Sequence, residues 1–133
     1  MSISTHDFLS FAEELCDHDK EVSWRSAASR AYYSALHQCL PLAETLPEPR
    51  YDSNPKGYHD YLIKKLTDFE DSNKELQRAI RKIGYMLLDA KRVRTEADYQ
   101  MSTSFKRAQA EKVIEVAHKI FEQLQRLDGS LPK

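Results

Sequence analysis

From Trp24 to Cys39, a stripe dominated by alanine recurs at three- and four-residue steps: Trp24, Ala27, Ala28, Ala31, Ala35 and Cys39. A helix with so thin a face lets a second helix approach closely, which commits the chain to helix-on-helix packing. The same period continues elsewhere, whereas the two-residue alternation of a half-buried strand is missing. Glycine occurs only 3 times in 133 residues, so hairpin turns have little support. The predicted fold is all-α, an up-and-down bundle of about five helices in one domain over residues 1–133.

The first helix is predicted over Thr5 to His18, with Phe8, Phe11, Ala12, Leu15 and Cys16 on its inner face. The second starts at Ser23, a plausible N-cap, and runs to Leu40. A polar loop, 41–57, follows, punctuated by Pro41, Pro47, Pro49 and Pro55 and closed by Gly57. A third helix covers Tyr58 to Phe69, with Leu62, Leu66 and Phe69 inward. Ser72 and Glu75 have capping-box spacing and open a fourth, whose stripe of Leu76, Ile80, Ile83, Leu87 and Ala90 weakens in the charged run KRVRTEADY. The fifth runs from Ser104 to Leu127, with Ala110, Val113 or Ile114, Ala117, Phe121 and Leu124 inward, and Gly129 as its stop.

Net charge is −1, without the global basic balance of a DNA-coating protein. The charge is uneven. Asp7, Glu13, Glu14, Asp17, Asp19 and Glu21 make the start acidic, and Arg78, Arg81, Lys82, Lys91, Arg92 and Arg94 make a later segment basic. Cys16 and Cys39 sit among apolar neighbours and read as buried free thiols. The opening MSISTHDFLSF has no basic start followed by a long apolar run, and no stretch nears the roughly 20 apolar residues a bilayer requires. A cytoplasmic location, with no membrane contact, is expected.

Two constellations carry chemistry. In SRAYYSALH, Arg30 and His37 lie seven residues apart, close to two helical turns, with Tyr33 between them on the same flank. Arginine forks onto phosphate oxygens, and histidine moves protons near neutral pH, so this pair is the candidate catalytic set. The alternative is architectural: Arg30 paired with Asp98, and His37 buried in a hydrogen-bond network. In DAKRVRTEADY, Lys91, Arg92 and Arg94 concentrate positive charge suited to phosphate or RNA. There Arg94 and Asp98 have ion-pair spacing, and Tyr99 can stack on a base. A solvated helix end explains the same run. The five histidines fall on different segments, without H-E-x-x-H or C-x-x-C, so no metal or other cofactor is expected. There is no glycine-rich phosphate loop and no G-x-S-x-G elbow.

Together, SRAYYSALH (Ser29 to His37) and RTEADY (Arg94 to Tyr99) resemble the HEPN superfamily of higher eukaryote and prokaryote nucleotide-binding domains. The match is to the branch of small prokaryotic members with S-R-A-Y-Y-x-A-x-H and R-x-x-A-D-Y motifs. GYHDYLIKKL, around His59, looks like that family's short helix with its histidine, and the resemblance covers about Trp24 to Leu127. It implies a dimerising helical bundle. In many members an arginine and a histidine form a metal-independent RNase site across the dimer, where the RNA 2′-OH attacks the adjacent phosphate. That motif lies on the later helix, where this chain has Arg92, Val93 and, at the histidine position, Ala97.

Three functions follow. The first is a HEPN-type module that binds RNA, a nucleotide or a protein partner in a defence or toxin–antitoxin setting; a nucleotidyltransferase antitoxin is one such partner. The second is a metal-independent endoribonuclease using Arg30 and His37. The third is a helical adaptor. A homodimer is expected under each, with Tyr33, His59 and Asp98 supporting the site.

Overall fold

The alanine-striped segment becomes the central helix of the bundle. In the computed structural model, which describes residues 3–128, the order is α1 (Thr5–Cys16), α2 (Glu21–Thr45), α3 (Tyr58–Thr67), α4 (Lys74–Tyr99) and α5 (Arg107–Asp128), with one 3-10 turn at Tyr51–Ser53. No strand occurs among the described residues. Helix α2 touches every other helix. It buries Ala27, Ala28, Ala31, Tyr32, Ser34, Ala35, Leu36 and Cys39, too much of its circumference for a single apolar stripe. Ile63, Leu66, Ile80, Ile83, Leu87, Val113 and Ile120 fill the space around it. No helix among the described residues is long and apolar enough to cross a membrane.

Helices α2 and α4 run in opposite directions, and so do α1 and α5, as their side-chain ties show. From α2 to α4, Arg25 reaches Ala97, Ser29 reaches Asp98, and Tyr33 meets Arg94. Between α1 and α5, His6 packs on Phe121, Glu13 pairs with His118, and Asp17 pairs with Arg107. Helices α3 and α4 approach closely at Gly84, where an added Cβ would stand 2.8 Å from Leu66 Cβ and 2.9 Å from the Thr67 backbone nitrogen.

Several element boundaries differ from the sequence reading, each for a local reason. Helix α2 begins at Glu21, not Ser23, because Glu21 is anchored: its carboxylate accepts from the Phe105 N–H at 2.9 Å and pairs with Arg25. It also runs through Pro41 to Thr45, so the loop begins at Leu46 rather than at residue 41. Pro41 has no N–H to give the His37 carbonyl one turn back, but burial of Leu42 and Ala43 carries the helix onward. The cap of α4 is Asn73, not Ser72; its side chain accepts from the Leu76 N–H at 3.2 Å. The apolar stripe of α4 does thin in the charged run, with no buried residue between Ala90 and Ala97, yet the helix continues to Tyr99, where Arg94 and Asp98 pair along it and Arg25 holds its end. Helix α1 stops at Cys16, α3 at Thr67, and α5 starts at Arg107 rather than Ser104. Phe11, expected inside, is 46% exposed. Gly129 lies outside the described residues.

The loop is pinned rather than free. Asp68 accepts hydrogen bonds from the Arg50 backbone and the Ser53 hydroxyl, Lys64 donates to the Ser53 carbonyl at 2.5 Å, and Tyr61 donates to Glu48 at 2.6 Å. These ties fix where α3 starts and hence where His59 stands.

Candidate functional site

The antiparallel α2–α4 contact, with the first turn of α3 beside it, gathers residues from all three motifs. Arg94 lies at the centre, its side chain 13% exposed. Its guanidinium donates to the Tyr33 hydroxyl at 3.0 Å and sits 5.5, 5.3 and 5.9 Å from the ring centres of Tyr32, Tyr33 and Tyr99. Nε of Arg94 is 2.9 Å from Asp98 Oδ2. That N–H is buried and points off the line to the oxygen, so the contact is a charge pairing without a straight hydrogen bond. Ser29 also donates to Asp98 Oδ2, at 3.4 Å.

Two imidazoles flank Tyr33. His37 stacks on it at 6.3 Å and is exposed, with Phe8 on its other side at 6.5 Å. His59 meets the Tyr33 ring edge-on at 5.7 Å, and its Nδ1 shares a 3.2 Å hydrogen bond with the Tyr32 hydroxyl. Partial burial lowers the His59 pKa, and the nearby charges of Arg94, Lys91 and His37 lower it further. Burial moves the Tyr32 phenol the other way, well above its ordinary value, so it stays protonated. The result is a cluster in which cations surround an imidazole whose protonation they and its partial burial oppose.

No protein-family model, curated protein or solved structure matches this chain. Its chemistry is therefore read from its own side chains.

The predicted site residues divide into two groups. Tyr33, His37, His59, Lys91, Arg94, Asp98 and Tyr99 come together around the cluster. Arg30 and Arg92 do not enter it. Arg30 is exposed on the His37 flank of α2, and no ion pair or side-chain hydrogen bond among the described residues holds it. The expected Arg30–Asp98 pairing is absent because Arg94, four residues from Asp98 on the same helix, occupies that carboxylate. His37 is not buried. Arg92 is exposed and, among the described residues, reaches only Asp89, at 3.3 Å. Arg94 faces inward, so its role is to hold the tyrosines rather than to project at a ligand. Among the described residues, no three His, Cys, Asp or Glu side chains group as a metal would require.

Sequence reasoning missed Tyr32 and Arg25. Tyr32 is fully buried and bonds His59. Arg25 is 8% exposed and donates to the carbonyls of Glu96, Ala97, Gln100 and Thr103 at 3.2, 2.9, 3.1 and 2.5 Å. It thereby closes the C-terminal end of α4, which carries Asp98 and Tyr99. For Arg25, its place four residues after Glu21 at the start of the helix was the available signal.

Proposed function

We propose that this chain is a HEPN-type helical module that binds single-stranded RNA through its phosphates. The binding face is the flank formed by α2, the start of α3 and the second half of α4. One observation carries this reading: Arg30 and His37 are both exposed on one flank of α2, and Arg30 has no ion pair or side-chain hydrogen bond among the described residues. A phosphate on that flank would give Arg30 the anion it lacks. Arg30, Lys91 and Arg92 meet phosphate, His37 and His59 donate or accept at its oxygens, and Tyr99 stacks on a base. The resemblance adds a homodimer and a cytoplasmic setting beside a nucleotidyltransferase antitoxin or another defence component.

The test is fluorescence anisotropy with labelled single-stranded RNA at several salt concentrations. Combining Lys91→Ala with Arg92→Ala is expected to weaken binding and flatten the slope of log affinity against log salt by about 1.4, at about 0.7 per lost phosphate contact. An unchanged slope and affinity would remove the basis for the proposal.

A second reading, a metal-independent endoribonuclease, is favoured by one specific feature: Arg30 and His37 both face water from one flank of α2. There the 2′-OH would attack phosphorus as its proton passes to the His37 imidazole, the P–O5′ bond would break with the 5′ oxygen leaving as a hydroxyl protonated from that imidazolium or from water, and Arg30 would stabilise the charge developing on the phosphate oxygens. RNA incubated in EDTA should then yield 2′,3′-cyclic phosphate ends, and His37→Ala should abolish them. Intact RNA after incubation with the parent protein defeats this version alone.

A further inference from the structure

Beside the cluster, where the start of α2 meets the end of α4, lies an open cleft of about 550 Å³ lined by Glu21, Val22, Ser26, Asp98, Tyr99 and Met101 among others. Three of these are large apolar side chains left in water: Val22 is 67% exposed, Tyr99 71% and Met101 68%. The charged groups along its wall are mostly engaged. Arg25 is saturated by four backbone carbonyls. One oxygen of Glu21 accepts from the Phe105 N–H, and the other pairs with Arg25. Asp98 Oδ2 is held by Arg94 and Ser29, which leaves Asp98 Oδ1 as a carboxylate oxygen with no partner among the described residues. The cleft thus offers apolar surface, one aromatic ring, the Ser26 hydroxyl and an unpartnered carboxylate oxygen, but no free cation. That combination suits a flat ligand with an N–H to give and repels an anion.

Resting on the RNA-binding reading, we infer that this cleft is a nucleobase subsite selecting a base with an exocyclic amino group. The base stacks on Tyr99, whose orientation is steadied by Arg94 at 5.9 Å, and lies against Val22 and Met101. Its amino group donates to Asp98 Oδ1. Adenine, cytosine and guanine present such a donor. Uracil presents only a ring N–H between two carbonyls, which a carboxylate repels. Asp98 and Tyr99 directly follow the segment that carries Lys91 and Arg92, so a strand whose phosphates run along that segment delivers a base to the cleft.

The test compares labelled oligo(A), oligo(C) and oligo(U) of equal length with the parent protein, Tyr99→Ala and Tyr99→Phe. Oligo(A) and oligo(C) are expected to bind more tightly than oligo(U). Tyr99→Ala should weaken both by about 5-fold or more and erase the preference, whereas Tyr99→Phe keeps it. Equal affinity for oligo(U), or a preference that survives Tyr99→Ala, overturns the subsite while leaving the phosphate face standing. Failure of every oligonucleotide to bind at low salt overturns the RNA reading and the subsite with it.

Discussion

At the scale of single residues, two side chains decide more than their neighbours. Arg25 satisfies the Ala97 and Thr103 carbonyls, which have no other donor among the described residues, and adds a charged donor to those of Glu96 and Gln100. Arg25→Ala strips several acceptors of a charged partner at once and is expected to cost at least about 2 kcal/mol in urea denaturation. Lysine lacks the fork and should recover only part of that loss. His59 gives a pH signature. Its pKa is lowered in the fold from the ordinary 6.5, so the unfolded chain takes up a proton more readily than the folded one. The His59 contribution to stability is therefore intact above pH 6.5 and is lost as pH falls from there through the folded pKa. His59→Gln should flatten the slope of stability against pH in that window, as followed by denaturant midpoints. RNA bound at the cluster should raise the same pKa, visible as a shift of its imidazole NMR signals.

At the scale of elements, close approach is the controlling fact. Helix α3 lies so near α4 that Gly84 has no room for a methyl group. Gly84→Ala raises intrinsic helix propensity but forces the helices apart, and the second effect should win, with a net loss of about 1–3 kcal/mol on thermal or urea unfolding. A glycine in mid-helix gave no sign of this in the sequence, since its neighbour is seventeen or eighteen residues away in the chain. The helices themselves were legible because periodic apolar residues report burial directly. Their ends were not, because they are set by whichever polar side chain fits: Asn73 caps α4 in place of Ser72, and α2 starts at an anchored Glu21, after Lys20 at the cap position, rather than at Ser23. The site was half legible. Arg94 with Asp98 follows from spacing along one helix, but the grip of Arg94 on Tyr33 joins residues 61 apart. An isolated helix pattern likewise does not say which way Arg30 turns.

At the scale of the whole molecule, the flanks differ in how their charges are paired. On the α1–α5 side Glu13, Asp17, Glu111 and Glu115 each face a basic partner, His118, Arg107 or Lys119. On the α2–α4 side Arg92 pairs with Asp89 and Arg94 with Asp98, while Arg30 has no ion pair among the described residues. In a chain of net charge −1, Arg30 therefore stands as an unanswered surface cation. The Arg25 anchorage has a further consequence. Because one guanidinium grips carbonyls from Glu96 to Thr103, and Glu21 beside it holds the Phe105 amide, the link between α4 and α5 has no independent way to fray. In deuterated solvent its Phe105 amide should exchange only when the central helix lets go, at the pace of the slowest protons in the bundle.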